Sequence, residues 1–317
     1  MSKTLLIAAC AGLLSLLATL PAFQGVPGGL MLFYLASLPI YLTGFAFGLT
    51  AGTVASLSGF LAALVFGGVL VAGIFALVHL LPAWTMVRQA LMRRTGPDGQ
   101  TEWMPAGPIL ASLVGLAGGV MLITGAFLSH GSGISAFVTA NLGKVLDVYA
   151  PGLPEAARES TIAMYAPFMP ASVGAIWICI ATASAMTAQA LLVRYGRNLR
   201  PSPAYMEMRL PDWISWAFAG AVIVTVVASG DLQYAARNLA LLLAVAFSFM
   251  GLTLVHAWAR KRPYPAASLT LFYVLTFIAA WVVFLFTAAL GALEQWAGIR
   301  HRMAGSDTGS GPADLNE

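Results

Sequence analysis

The most informative pattern in the chain is a long apolar stretch near its beginning that contains no charged residue. Between Lys3 and Arg88 there is no Asp, Glu, Lys or Arg. A water-soluble fold covers its surface with charged side chains, whereas a bilayer interior penalises a charge at a helix centre by roughly 2.5 kcal/mol or more. The stretch is therefore predicted to lie in a membrane.

Helix length divides this stretch into four predicted membrane spans. A helix needs about 20 apolar residues to cross a hydrocarbon core of roughly 30 Å, so four helices joined by tight turns fit. Because four is even, Lys3 and Arg88 lie on the same side. The cluster of Arg88, Arg93 and Arg94 marks that side as cytoplasmic by the positive-inside rule, so the N-terminus is expected in the cytoplasm. The predicted spans are residues 4–20, 30–47, 52–66 and 69–84.

The remainder of the chain continues the alternation of apolar spans and polar loops. Basic residues concentrate in loops on the side assigned to the cytoplasm, for example Arg194 to Arg209 and Arg260 to Arg262. The fold prediction is an all-α polytopic transmembrane helical bundle of nine spans. Eight spans are the alternative, which would return Arg300 and Arg302 to the cytoplasm. The later spans are residues 109–128, 171–193, 213–229, 238–258 and 268–290.

The first span has a competing interpretation as a signal peptide. A single Lys followed by an apolar run suits a signal peptide, but Leu20, Pro21 and Ala22 form a poor cleavage site because such sites need small residues at alternate positions. The sequence therefore favours a retained helix.

One segment outside the spans has the pattern of a helix that lies on a membrane surface. Apolar residues recur at helical spacing from Ile134 to Tyr149, with Lys144 and Asp147 on other faces. Pro154 then suits the first turn of a second short helix that ends near Tyr165. We predict an amphipathic outer segment at 130–166 within a single membrane domain at 1–303, followed by a disordered tail at 304–317.

Composition agrees with this picture and excludes several classes of protein. The chain is 59% hydrophobic and 9% charged, with a mean hydropathy of +0.84. Its net charge of +4 comes from short loops and forms no stripe that would bind nucleic acid. Cys10 and Cys179 lie in apolar spans, far from any metal-binding spacing. The expected location is the bacterial inner membrane, and the expected partners include membrane lipid but no nucleic acid.

Small residues supply the first candidate ligand-binding positions. Gly44, Gly48 and Gly52 recur every four residues, and Ser56 continues the row. This spacing lets helix backbones approach closely, so helix packing is the ordinary interpretation. A ligand-facing surface lined by Gly48, Gly52 and Ser56 is the alternative.

Polar residues inside apolar spans supply the other candidates, because ionisable groups in a bilayer are costly and often functional. The candidates are His79, Gln189, Asn238 and His256. For each histidine the ordinary alternative is an interfacial position or a hydrogen bond to a helix, and for Gln189 it is a hydrogen bond between helices. Asp231 with Arg237 and Asn238 could likewise form an outer polar site or cap a helix.

The sequence supports no enzyme and no ion-driven carrier. None of the predicted spans contains an Asp or Glu that could hold a coupling cation. The chain also lacks a His-Glu-x-x-His motif, a Gly-x-Ser-x-Gly elbow and a Walker loop. We therefore expect no catalytic residue, no metal ligand and no cofactor.

The C-terminal third resembles the YybS-like family of uncharacterised bacterial multi-pass membrane proteins. The resemblance lies in Arg237-Asn238-Leu239, Gly251-Leu252 and Val255-His256, and in the end of the last span from Leu290 to Trp296 with Arg300 and Arg302. It implies a membrane protein and no particular activity.

The N-terminal half distantly resembles the substrate-binding subunits of energy-coupling-factor vitamin transporters. The resemblance lies in Gly48-x-x-x-Gly52 and the approach from Pro39 to Gly44. In that family, small residues on the first helix contact the coupling subunit, and the matching feature here is Ala8-x-x-x-Gly12. This chain has more helices than those subunits.

Two functions follow as hypotheses. The first is a membrane subunit of transporter type that binds or translocates a small uncharged or amphipathic ligand, together with other membrane subunits or a separate ATPase. The alternative is a non-transporting scaffold that organises other envelope proteins through the segment from Ile134 to Tyr149 and the loop from Arg194 to Arg209.

Overall fold

A computed structural model describes residues 3–128 and 133–298 of the protein. The described chain is almost entirely helical, apart from a small antiparallel hairpin of β1 (Arg93–Thr95) and β2 (Thr101–Trp103). The helices are α1 (Lys3–Phe23), α2 (Gly29–Leu35), α3 (Leu38–Phe47), α4 (Leu49–Phe75), α5 (Leu81–Ala90), α6 (Ala106–Leu128), α7 (Ile134–Tyr149), α8 (Glu155–Tyr165), α9 (Met169–Arg194), α10 (Asp212–Val227), α11 (Gly230–Arg260), α12 (Pro265–Ile278) and α13 (Ala280–Ala297).

Seven helical segments in the described residues are long and apolar enough to cross a membrane, which confirms a multi-pass, all-α membrane protein. The helices Asp212–Val227 and Pro265–Ile278 are apolar but shorter. The span count of eight or nine and the side of the N-terminus stay predictions. The seven segments are Lys3–Phe23, Gly29–Phe47, Leu49–Ala90, Ala106–Phe127, Glu155–Arg194, Gly230–Arg260 and Ala280–Ala297.

The long segment Leu49–Ala90 folds back on itself as a helical hairpin. Gly68 has φ 76° and ψ −177°, a backbone conformation that interrupts the helix and that glycine adopts without steric cost. Beyond it, the Trp84 indole nitrogen donates a hydrogen bond to Thr53 Oγ1 at 3.1 Å. The ring of Phe75 lies against Gly59. Both contacts join a residue before Gly68 to a residue after it, so the two helical parts of the hairpin run antiparallel. This arrangement agrees with the two separate spans predicted at 52–66 and 69–84.

The centre of the C-terminal half is α11, which is 31 residues long and contacts α6, α9, α10, α12 and α13. Its closest neighbour is α13. A Cβ atom added at Gly251 would collide with the carbonyl oxygen of Thr287, and one added at Gly291 would collide with that of Phe247. Glycine at these two positions therefore sets the distance between the helices, as expected where membrane helices gain most from close packing.

The structure divides the predicted ninth span at 268–290 into two helices. Ala279, between α12 and α13, has φ −130° and ψ 50°, which is not helical. No residue of α12 is buried, and α13 continues to Ala297. Glu294, which the sequence placed beyond the last span, therefore lies on α13 with only 8% of its surface exposed.

The predicted amphipathic segment contains two helices, α7 and α8, whose bounds match those expected from the apolar spacing and from Pro154. Arg158 on α8 pairs with Asp147 on α7, with 3.1 Å between Arg158 Nε and Asp147 Oδ1. The placement of this segment on the outer side stays a prediction. The predicted tail at 304–317 lies outside the described residues, as do Arg300 and Arg302.

Candidate functional site

The structure brings two of the predicted site residues, Gln189 and His256, to the wall of one cavity. The cavity has a volume of about 730 Å³. It lies among the ends of α3, α5, α6, α9, α11 and α12, and the loop at 195–211 closes one side. Its lining is Phe45, Met86, Ala90, Ala106, Ile109, Leu110, Thr182, Ala185, Met186, Gln189, Arg200, Pro203, Ala204, Tyr205, Met206, Met208, Phe249, Leu252, Thr253, His256, Arg260 and Tyr273.

Two parallel helices, α9 and α11, form the long walls of this cavity. Their register is fixed by the backbone nitrogen of Ala171, which donates to Asn238 Oδ1 at 3.0 Å, and by Gly174, which lies against Leu242. The number of residues from Ala171 to Gln189 along α9 equals the number from Asn238 to His256 along α11. The two candidates therefore lie at the same depth, on facing walls.

One end of the cavity, which we call the mouth, is organised around the buried guanidinium of Arg200. Only 4% of this residue is exposed. Its Nη1 donates to the carbonyl oxygen of Ala90 at 2.8 Å, and its Cζ lies 5.8 Å from the centre of the Trp103 ring. The side-chain nitrogen of Gln189 donates to the Arg200 carbonyl at 2.9 Å. Gln189 and the β hairpin thus hold Arg200 in place.

Burial leaves the charge of Arg200 poorly compensated. Within residues 3–128 and 133–298, no carboxylate forms an ion pair with it. Loss of hydration lowers the pKa of Arg200 and raises the pKa of the neighbouring Tyr205. Carbonyl oxygens and an aromatic ring stabilise a guanidinium only in part, because a buried cation without an anion carries a large desolvation cost.

His256 and Tyr273 connect α11 to α12 at the same end. Nδ1 of His256 lies 2.8 Å from the Leu252 carbonyl, and Nε2 lies 3.3 Å from the Tyr273 hydroxyl. Since a carbonyl only accepts, Nδ1 is the donor in its bond to Leu252. The hydrogen bond between Tyr273 and His256 therefore attaches α12 to the cavity wall.

The opposite end of the cavity, which we call the deep end, is apolar. Three to seven residues before Gln189 and His256, the walls carry Met186 and Thr182 on α9 and Leu252 and Phe249 on α11. Ile109, Leu110 and Met86 close the space between them. The cavity therefore changes from apolar to cationic along its length. Thr182 Oγ1 is the exception, a buried hydroxyl that has no hydrogen-bond partner among the described residues.

The small-residue candidates lie away from the cavity and pack helices together. Gly52 faces Gly44 and Val87, while Gly48 joins α3 to α4 with φ 97°. Ser56 is buried, and its hydroxyl has no partner among the described residues. The helix-packing interpretation of this row therefore fits the geometry, and Gly48, Gly52 and Ser56 are not part of the lining of the cavity described above.

His79 and Asn238 are also remote from the cavity. The His79 ring lies between Phe33 and Phe75 in a π-helical turn, with Nδ1 2.8 Å from the Ser37 hydroxyl. Asn238 is fully buried and donates to the carbonyls of Pro167 and Tyr234. Its Oδ1 accepts from the backbone nitrogen of Ala171 near the start of α9, which fits the helix-capping interpretation.

Sequence reasoning missed several residues of the site, above all Arg200, Thr182, Tyr205 and Tyr273. The loop from Arg194 to Arg209 contains four arginines, and no local pattern distinguishes Arg200, which turns inward, from Arg197, which is exposed. Among the described residues, no group of three or more His, Cys, Asp or Glu side chains could hold a metal ion.

Comparison with known proteins places the chain among membrane proteins. A family model described as "Predicted membrane protein (DUF2232)" matches residues 7–293. No curated protein and no solved structure matches the chain. The match supports the membrane assignment over nearly the whole sequence. It gives neither the YybS-like name nor a link to energy-coupling-factor transporters.

Proposed function

This chain belongs to the DUF2232 family of predicted membrane proteins, and we propose that it binds a small amphipathic molecule in the cavity between α9 and α11. One observation carries the proposal: the cavity is apolar at the deep end and polar at the mouth. Its volume of about 730 Å³ falls within the range of roughly 300–1,000 Å³ typical of small-molecule sites. An amphipathic ligand would match both ends.

The arrangement of the arginine-rich loop supports ligand binding over the scaffold alternative. A docking surface needs its side chains in solvent, but Arg200 is buried and Met208 and Leu210 are also buried against the bundle. Part of this loop is therefore occupied in closing the cavity. We propose that the mouth faces the cytoplasm, because Arg88, Arg197 and Arg260 belong to the basic loops at this end.

A transport role would extend this proposal, with a separate ATPase chain as the energy source. The resemblance to energy-coupling-factor subunits would place the coupling contact at Ala8-x-x-x-Gly12. In this structure Ala8 is buried and Gly12 packs against Ala55 and Ser58 of α4. We therefore propose that an ATPase docks on a surface other than this face of α1. Purification from native membranes without an ATPase would contradict this extension and leave ligand binding intact.

A pair of tryptophan substitutions on α9 tests ligand binding. Met186 and Ile176 are similarly exposed, at 42% and 54%, but only Met186 lines the cavity. Native mass spectrometry of the detergent-purified full chain should show a bound small molecule. Met186→Trp fills part of the cavity and should lose that molecule, while Ile176→Trp should keep it. A wild-type protein that carries none, or a Met186→Trp variant that carries it undiminished, would contradict the proposal.

A further inference from the structure

The strongest unexplained feature of the cavity is the buried cation Arg200, which has no carboxylate partner within the described parts of the chain. We propose that the ligand is a single-chain amphiphile whose anionic head group binds Arg200 and whose apolar chain extends towards Phe249. This inference rests on the proposed function and adds the charge and orientation of the ligand.

The guanidinium of Arg200 has a shape and charge suited to an anion. A guanidinium offers five N–H donors in a planar fork that matches a carboxylate or a phosphate. In Arg200, Nε donates to the Pro201 carbonyl at 3.3 Å and Nη1 donates to the Ala90 carbonyl at 2.8 Å. These two bonds use one donor on each of two nitrogens and go to neutral carbonyl oxygens, so neither supplies a negative charge. An anionic head group would both use the remaining donors and offset the cost of the buried charge.

The charge of the whole lining selects against a cationic head group. The lining contains two arginines, Arg200 and Arg260, and no Asp or Glu. Glu207 belongs to the same loop but is exposed and outside the lining. A cationic amphiphile would therefore meet two like charges at the mouth. Repulsion costs more at the buried Arg200, where water is excluded, than at the exposed Arg260.

The walls above the arginines fit an alkyl chain. Thr182 lies seven residues before Gln189 on α9, which is about 10.5 Å along the helix axis and on the same face. Met186, Leu252 and Phe249 line the interval on both walls. Methionine and leucine side chains adapt to a flexible chain, so these walls suit an alkyl tail. The head is thereby directed to Arg200 and the tail to the deep end.

Chain-matched probes with different head groups test this inference. Equilibrium binding of radiolabelled dodecanoate and radiolabelled dodecanol would be measured on the full chain in nanodiscs, with empty nanodiscs as blanks. Dodecyl phosphate and dodecylamine serve as competitors. Dodecanoate should bind at least tenfold more tightly than dodecanol, and dodecylamine should compete least. Stronger competition by dodecyl phosphate than by dodecanoate would assign the head group to the phosphate class rather than the carboxylate class.

Substitutions in one loop then locate the head group. Arg200→Gln should reduce the preference for dodecanoate over dodecanol to about twofold or less, with dodecanol binding retained. Arg197→Gln removes the same charge from the same loop outside the cavity and should leave the preference unchanged. If Arg200→Gln fails to fold, as judged by size-exclusion chromatography, Arg260→Gln should still reduce the preference several-fold.

The outcomes separate the two proposals. Equal binding of dodecanoate and dodecanol would overturn the anionic head group and leave a cavity for amphiphiles. If both Arg200→Gln and Arg260→Gln keep the wild-type preference for dodecanoate over dodecanol, the proposed position of the head group beside Arg200 is wrong. Absence of saturable binding by every probe would overturn this inference and, together with a wild-type protein free of any bound molecule, the proposed function as well.

Discussion

The carboxylate of Asp231, at the start of α11, caps the N-terminus of α7. Its Oδ1 lies 3.1 Å from the backbone nitrogen of Ile134 and 3.4 Å from that of Ser135. The residue that precedes α7 is Gly133, which has no side chain to perform this role. A carboxylate at a helix N-terminus satisfies free amides and interacts favourably with the helix dipole. The amphipathic helix is thus attached to the central helix by a residue nearly one hundred positions away.

Loss of this cap should loosen α7. We expect Asp231→Ala to destabilise the start of α7 by about 0.5–2 kcal/mol, the usual cost of removing an N-cap. Amide hydrogen exchange across 134–141 should accelerate while exchange in α11 stays slow. Glu159→Ala removes an exposed carboxylate from α8 and should not alter α7. Unchanged exchange in the Asp231→Ala variant would show that α7 is held by its other contacts.

The contact between α11 and α13 depends on two glycines. We expect Gly251→Ala and Gly291→Ala each to lower the free energy of unfolding by about 1–3 kcal/mol, since the new methyl group would meet the backbone of the facing helix. Gly220→Ala is the matched control, because no atom lies within 4 Å of the added Cβ there. Unfolding in mixed micelles measures the difference. Equal stability of all three variants would contradict the close approach of these helices.

The buried pair of Ser37 and His79 should show energetic coupling. Ser37→Ala leaves both ring nitrogens of His79 without a partner, and His79→Leu leaves the Ser37 hydroxyl buried and unpaired. We expect the double variant to cost less than the sum of the two single variants, with a coupling of about 0.5–3 kcal/mol. The control cycle combines Ser112→Ala with His79→Leu, because the Ser112 hydroxyl donates to the Pro108 carbonyl within its own helix and makes no bond to His79. A strictly additive Ser37 and His79 cycle would argue against the bond.

Local pattern predicted most of the helices, because each helix depends on its own apolar periodicity and breakers. The spacing from Ile134 to Tyr149 predicted α7 with its bounds, and the adjacent Gly67 and Gly68 separated two predicted spans where the chain reverses. Ala279 carried no such signal. Because alanine favours helix, the apolar run at 268–290 was predicted to be one span, although the backbone at Ala279 is not helical.

The cavity could not be predicted in the same way, since it depends on contacts between distant segments. Arg200 is buried because Gln189, Ala90 and the β hairpin meet around it, and each of these lies in a different part of the chain. Gln189 and His256 were found because polar residues in apolar spans are conspicuous. Gly48, Gly52 and Ser56 were candidates on spacing alone, and spacing cannot distinguish a packed helix from an open surface.

The position of α11 has a consequence for biosynthesis. Its neighbours α6, α9 and α10 are made before it, whereas α12 and α13 are made after it. Until translation reaches residue 260, α6 and α9 can pack on α3, α5 and each other but lack the surface that α11 adds, including the Asn238 side chain that binds the start of α9. We therefore expect a nascent chain that ends before Gly230 to remain bound by membrane chaperones, and assembly to become complete only when the last quarter of the polypeptide has left the ribosome.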